Sequence, residues 1–206
     1  VDKALNIDST QIELINLKAQ ILFNNRDFEE AIPEYHKLIA AGIEDVFVYG
    51  DLAESYHRTH RLDSAETHYQ KALLLDPEDS NLHYRLSTVY FDGEKFSEAE
   101  GSMKRVIKIK DLKLYAEYTF LGEIYKAQKE LKKALDAYQT AHEENPDDPN
   151  IYFQVCILAN NYFKDPKTQL NFYEAFLRKY GKETYYQDYI EKRMAALRAE
   201  IHMAKE

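Results

Sequence analysis

Four alanines, Ala31, Ala65, Ala99 and Ala134, follow one another at intervals of 34, 34 and 35 residues. Each is followed four residues on by a large side chain, Tyr35, Tyr69, Met103 or Tyr138, and three further by Leu38, Ala72, Val106 or Ala141. Nine residues before each alanine stand Leu22, Tyr56, Tyr90 and Tyr125. Spacings of four and three put such residues on one face of an α-helix. DSAETHYQKALLLDP, residues 63–77, shows the pattern: Ala65, Tyr69 and Ala72 share a face and Pro77 ends the helix. A period of this length is one small supersecondary unit, which cannot bury its apolar face alone and must stack on its neighbours.

Composition agrees with an all-α array. The chain has 206 residues, 45% hydrophobic and 31% charged, with only six Gly and five Pro. Helix formers dominate, and alternating Val-rich runs are missing. A net charge of −9 opposes non-specific nucleic-acid binding, which needs a basic footprint, and disfavours anionic lipid. No run of about 18 apolar residues predicts a membrane span, so this chain is not expected to insert. Cys156 is the only cysteine and makes no internal disulfide. No leader-type segment is visible, and the chain opens on Val1 rather than Met.

The units resemble tetratricopeptide repeats, helix–turn–helix modules of 34 residues. Residues 46–79 match the family pattern through Tyr49, Leu52, Ala53, Tyr56, Ala65, Tyr69, Ala72 and Pro77. Residues 115–148 do so through Tyr118, Leu121, Gly122, Tyr125, Ala134, Tyr138, Ala141 and Pro146. The unit at 80–114 keeps Leu86, Tyr90 and Ala99 but has Ser87 and Asp111 at a small and a Pro position. The unit at 12–45 keeps Ala19, Phe28, Ala31 and Tyr35, with Lys18 in an apolar slot. One inserted residue is expected within KIKDLKLY, 108–115. The unit at 149–182 is divergent: Tyr152, Phe172 and Ala175 are in register, but Thr168 takes the small position. ALNIDS at 4–9 aligns with ALLLDP, so residues 1–11 read as the remnant of a preceding second helix and the chain as a fragment of a longer protein. From 183 to 206, Tyr186, Ile190, Met194, Leu197 and Ile201 form one apolar stripe, the mark of a capping helix.

The resemblance implies an α-solenoid, a right-handed superhelix whose first helices line a groove. Small residues, Ala53, Ala65, Ala72, Gly122, Ala134 and Ala141, would sit where paired helices cross. The groove positions would be Asp51, Glu54 and His57, then Arg85, Thr88 and Phe91, then Phe120, Glu123 and Lys126. Phe47, Arg58, Tyr84, Phe153, Gln154, Ile157, Asn160 and Asn161 would adjoin them. Large apolar side chains in a groove are a stronger binding signal than charges. Tyr84, Phe91, Phe120 and Phe153 are therefore expected to form an apolar track, with Arg85 anchoring a carboxylate or carbonyl. The alternative is that some of these rings turn into the helix–helix core. Repeats that clamp heat-shock chaperone tails carry Lys, Asn, Asn, Lys and Arg. In the first frame those slots hold Asn16, Gln20, Asp51, Asn81 and Arg85, and only Arg85 matches; two later frames match nowhere. This argues against a chaperone-tail clamp.

No constellation for chemistry accompanies the repeats. HRTH, 57–60, lacks further ligands at zinc spacing, and its imidazoles are expected to diverge on the surface. Glu29/Glu30 and Glu143/Glu144 are adjacent and point apart around a helix. Cys156 occupies a packing slot with no adjacent base. His68 and Glu66 are expected on the solvent side of their helix. No catalytic residue, metal site or cofactor is expected. The expected function is a scaffold binding a protein or peptide in the groove. A spacer or self-association arm of a larger protein is the alternative, and a regulatory domain joined to an enzyme a third. Residues 172–201 are also similar, loosely, to repeats of bacterial envelope proteins, though Gly181 stands where Pro is usual; cytoplasm and envelope both remain open.

Overall fold

The sequence places a helix in each half of every unit, and the computed structural model has this form over the residues it describes, 9–110, 114–181 and 184–204. Every regular element among them is an α-helix. The chain divides into two compact units, Val1–Lys110 and Asp111–Glu206. The first holds α1 (Ser9–Asn24), α2 (Phe28–Ala40), α3 (Val46–Arg58), α4 (Leu62–Leu75), α5 (Ser80–Asp92) and α6 (Phe96–Ile109). The second holds α7 (Tyr115–Ala127), α8 (Leu131–Glu144), α9 (Pro149–Tyr162), α10 (Pro166–Tyr180) and α11 (Gln187–Met203). Residues 9–11, read from sequence as part of a preceding helix, belong to α1. The inserted residue, expected between 108 and 115, and residues 1–8 of the expected remnant fall on or beside positions outside the described residues.

One turn joins the helices of the first four pairs. Arg26, His60, Glu94 and Lys129 lie there with φ of 67, 60, 57 and 63°, at the same 34, 34 and 35 spacing as the alanines. In each, the following N–H reaches back five residues, as Arg61 N donates to Tyr56 O at 2.8 Å. This is the hydrogen-bonded helix end that a left-handed residue permits. Gly is the residue that adopts it without strain, yet none of the four is Gly. Three of the first helices begin on aspartates: Asp45, Asp79 and Asp148 accept from backbone N–H groups of α3, α5 and α9.

The alanine row and its partners are buried as the spacing requires. Ala65, Tyr69 and Ala72 in α4, and Ala134, Tyr138 and Ala141 in α8, have almost no exposed surface. Gly122 shows how close the crossing is, since a Cβ there would lie 2.6 Å from the Tyr138 ring. Lys18, in a slot expected to be apolar, donates to the buried Glu34 at 2.6 Å, and Lys37 binds the same carboxylate at 2.9 Å. Burial alone would raise the Glu34 pKa, but the two ammonium groups outweigh it and hold it below the ordinary value.

The fifth pair departs from the register read from sequence. Its buried row is Gln169, Tyr173 and Phe176, one residue later than Thr168 and Phe172. α9 is one residue longer than α7, and the turn after it has no left-handed residue: Phe163 is extended, at φ −81° and ψ 137°. Asp165 then caps α10, whose first residue is Pro166. The side chain of Gln169 donates to Asn160 O at 3.1 Å and Phe163 O at 2.5 Å. For Asn160 O it thereby takes the place of the turn N–H that serves the equivalent carbonyl in the other pairs, as His60 N serves His57 O. Tyr173 and Phe176 pack with Cys156, Ile190, Met194 and Leu197, which seats α11 as the terminal helix. Burying each such large side chain contributes roughly 1.5–3 kcal/mol.

His68 and Glu66 correct a second expectation, because neither is a simple surface residue. His68 lies in a seam with His36, Tyr49 and Tyr56, its ring centroid 5.3 Å from that of Tyr56. Its Nδ1 is 2.8 Å from Ser64 O. Glu66 accepts from Lys95 at 2.6 Å and from Gln70 at 3.1 Å, bridging α4 to the α5–α6 turn.

Candidate peptide-binding surface

In the first unit, α3 and α5 are first helices of successive pairs and lie side by side. The Asp79 cap sets the start of α5, so Asn81, Tyr84, Arg85 and Thr88, three or four residues apart, face one way. Between the helices runs an open cleft of about 520 Å³, lined by Glu54, His57, Arg58, Asn81, Tyr84, Arg85 and Thr88. Six predicted groove residues, Glu54, His57, Arg58, Tyr84, Arg85 and Thr88, thus come together. Asn81 was placed only in a clamp frame; its signal was its position one helical turn before Arg85.

Glu54 organises this cleft. One carboxylate oxygen is ion-paired with Arg58, 3.3 Å from its Nε, and the other with Arg85, 2.7 Å from its Nη1. The second oxygen also accepts from the Tyr69 hydroxyl, at 2.7 Å. Burial works against the carboxylate, but Tyr69 and Arg85 prevail and hold its pKa below the ordinary value. Arg85 is correspondingly kept charged: burial opposes the charge, and Tyr69 and Glu54 outweigh it. Arg85, expected to be an anchor for a ligand alone, is therefore first an internal partner of Glu54. Both guanidinium groups remain about half exposed, so each keeps donors directed at the cleft.

Asp51 and Phe47 line a separate, smaller hollow of about 140 Å³ with Asn16, Gln20, Tyr35, Asp45 and Val48. The Tyr35 hydroxyl donates to Asp51 at 3.0 Å. Burial raises the Asp51 pKa, more than Tyr35 and Arg85 lower it. Phe47 is 79% exposed at the start of α3. Phe91 sets its ring edge-on to Phe96 at 5.6 Å, as Phe23 does to Phe28 at 5.7 Å, so it braces a helix turn. His57 is hydrogen-bonded to Asp92 at 2.6 Å, while His60 is a left-handed turn residue. Among the described residues, no group of three or more His, Cys, Asp or Glu side chains is placed to hold a metal ion.

In the second unit, Lys126 donates to Glu123 at 3.0 Å and to Gln154 at 3.3 Å, which ties α7 to α9. The Tyr138 hydroxyl also donates to Glu123, the counterpart of Tyr69 on Glu54. Phe120 is half-buried on the same helix. Two predicted site residues are engaged elsewhere. Phe153 stacks on Tyr186 with ring centroids 3.8 Å apart and an interplanar angle of 12°. Asn160 accepts from Arg193 Nε at 2.7 Å, and Arg193 also donates to Gln169 at 3.0 Å. Both therefore belong to the α9–α10–α11 junction, because the segment entering α11 lays Tyr186 across α9. For Phe153 this is the ring-into-core alternative stated above. Cys156 is fully buried, and burial pushes its thiol up to about 12. It is a packing residue at neutral pH.

The tetratricopeptide-repeat family profile matches residues 46–79 and 115–148. The chain is 30% identical over 122 residues to the general transcriptional corepressor trfA of Dictyostelium discoideum, a match covering 58% of this chain and 8% of that protein. It spans only 8 to 15% of the length of the curated relatives it matches. Among solved structures it is similar to the MamA protein, with a TM-score of 0.72 and 20% identity over 85% of this chain and 95% of that one. It is also similar to YrrB, described as a tetratricopeptide-repeat protein with an unusual peptide-binding site. There the TM-score is 0.69 and the identity 17%, over 87% of this chain and 90% of that one. At such identities these likenesses concern the fold. The buried alanine rows, the Gly122–Tyr138 crossing and the two matched units describe one module, and the chain belongs to the tetratricopeptide-repeat family, an all-α solenoid of antiparallel helix pairs.

Proposed function

We propose that this chain is a non-catalytic protein-interaction scaffold that holds a peptide segment in the α3/α5 cleft. The observation that carries the reading is the pair of half-exposed guanidinium groups, Arg58 and Arg85, fixed in place by the partly buried Glu54. Such a prearranged pair offers hydrogen bonds without first losing side-chain freedom, which lowers the cost of binding. Tyr84 adds an apolar face, and Asn81 and Thr88 add groups that can meet a peptide backbone. The hollow at Phe47 and Asp51, and the Phe120–Glu123–Gln154 surface of the second unit, are further contact areas in this reading. Phe91, Phe153 and Asn160 act mainly in holding the helices. The peptide-binding site ascribed to YrrB, on the same fold, supports the class of ligand. The net charge of −9 supports a protein rather than a nucleic-acid partner.

The test is a selection of peptides from a displayed library on the intact chain, followed by titration of the selected peptide. Arg58→Ala with Arg85→Ala should weaken binding at least tenfold, whereas Leu74→Ser, on the far side of α4, should leave it alone. Equal binding by the double variant would overturn the reading. The alternative, a spacer or self-association arm, draws on one observation, the exposed apolar face of α1. Light scattering separates the two: an arm gives a concentration-dependent dimer.

A further inference from the structure

Asp51 on α3 is a half-buried carboxylate that makes no ion pair among the described residues. Its side chain accepts from the Tyr35 hydroxyl, 3.0 Å from Oδ2. Other carboxylates drawn into the packing of this unit are matched by cations, Glu34 by Lys18 and Lys37, and Glu54 by Arg58 and Arg85. A charge withdrawn from water without a counter-charge is costly. Burial raises the Asp51 pKa, Tyr35 and Arg85 do not offset it, and Glu54 and Asp45 add to the rise.

The hollow in front of Asp51, about 140 Å³, has room for a single side chain. Asp45, which caps α3 with one oxygen, brings a second carboxylate, and Asn16 and Gln20 bring neutral amides. Among the described residues no lysine or arginine lines it. Phe47 stands at its rim with most of its ring in solvent. An exposed aromatic face beside carboxylates suits a cation on an apolar stem, whose methylenes lie on the ring while the head reaches the acid. A metal ion would need more ligands than the two carboxylates supply, and no described group of three or more His, Cys, Asp or Glu is placed to hold one. Phe47, Asp51, Glu54 and Arg58 follow at spacings of four, three and four, so the hollow and the α3/α5 cleft share one face of α3. Asp51 and Arg58, seven residues apart, are separated by about 10 Å along the helix. An extended chain covers that distance in about three residues.

We propose that the hollow at Phe47 and Asp51 is a subsite for one basic side chain, lysine or arginine, of the bound peptide. That side chain stands about three residues from the one that meets Arg58 and Arg85. The spacing rests on the peptide-binding reading of the α3/α5 cleft, whereas the choice of a cation rests on the hollow alone. The peptide is thus read by charge at two points, a basic residue at Asp51 and an acceptor at the two arginines.

The experiment follows the backbone amide resonances of the intact chain by NMR while ethylguanidinium chloride replaces sodium chloride at constant ionic strength. Saturable shifts are expected at Asn16, Gln20, Phe47 and Asp51, and they should vanish in Asp51→Asn, whose amide oxygen still accepts from Tyr35. Shifts that are absent, do not saturate, or are equal in the variant would overturn the subsite, whatever the cleft binds. A second readout uses the peptide selected on the intact chain. An uncharged isostere of its basic residue should bind the parent at least about fivefold more weakly, and Asp51→Asn less than about twofold more weakly. Equal losses on the two chains would also overturn the proposal. Loss of binding in Asp51→Asn with none in the Arg58→Ala, Arg85→Ala double variant would instead sink the reading of the cleft and leave the basic subsite in place.

Discussion

Helices α4 and α10 are both second helices, and each buries a row spaced four and three. In α4 the row is Ala65, Tyr69 and Ala72; in α10 it is Gln169, Tyr173 and Phe176. They arrive at it by different turns. The turn before α4 uses a left-handed His60 and backbone hydrogen bonds. The turn before α10 is extended, needs one more residue, and is closed by the Gln169 side chain. The difference teaches that the spacing of the buried row is what packing demands, whereas its phase follows the turn. A small residue at the first row position is one solution, and a larger one that repays its burial with hydrogen bonds is another.

The largest effect that can break this comparison is at the third row position. Phe176→Ala should cost about 3–5 kcal/mol in urea unfolding, the price of emptying a buried aromatic site. Phe172→Ala should cost clearly less, because that ring is only half-buried against Phe163. The reverse order would restore the register in which Phe172 packs inward. Next, Gln169→Ala, which installs the residue used in α4, should still destabilise by about 1–3 kcal/mol, because it removes the hydrogen bonds to two part-buried carbonyls, those of Asn160 and Phe163. If it is neutral, the two turns are interchangeable and the comparison fails. The turns of the regular pairs should respond in the opposite direction: Glu94→Gly removes a left-handed side chain and should stabilise by about 0.5–1 kcal/mol, again by urea unfolding.

The smallest effect concerns His68, which has no counterpart in α10. Burial first, then Lys71 and the neighbouring His36, lower its pKa, and the Ser64 carbonyl opposes them. Its folded pKa therefore lies below its unfolded value, near 6.5. As pH falls through that value the unfolded chain takes up the proton first, so stability decreases towards acid pH. Tyr49 and Tyr56 on α3 and Lys71 on α4 also face the ring and offer no anion to stabilise the imidazolium. Stability of His68→Gln should vary less between pH 8 and pH 5 than that of the parent. An identical pH dependence in the two chains would remove His68 as a contributor.

Much of the fold was legible because small-residue spacing reports directly on helix crossings. Ala65, Ala134 and Gly122 could be placed from sequence, and Gly122 proves to be the position where a Cβ would strike the Tyr138 ring. The phase of α10 was not legible, since Thr168 and Gln169 are equally polar and only the turn geometry decides between them. The cleft was legible in part. Glu54, Arg58, Tyr84, Arg85 and Thr88 were found because first-helix positions recur with the repeat. That Arg85 and Arg58 share Glu54, and that Tyr186 covers Phe153, depends on side chains far apart in sequence. The two terminal helices show the same limit. α11 turns Glu191, Lys192 and Arg198 outward, as a cap should, while α1 turns out Leu14, Leu17 and Ile21. Both read as amphipathic helices until the second face is counted.

Docking of a protein segment between α3 and α5 is the proposal most directly open to experiment. A photoreactive residue in place of Thr88, on the cleft wall, tests it in the cell of origin. A crosslink to a discrete protein partner is expected, and it should disappear when Arg58 and Arg85 are both replaced by Ala. The same crosslinks from a probe at Leu74, or crosslinks indifferent to the two arginines, would contradict it.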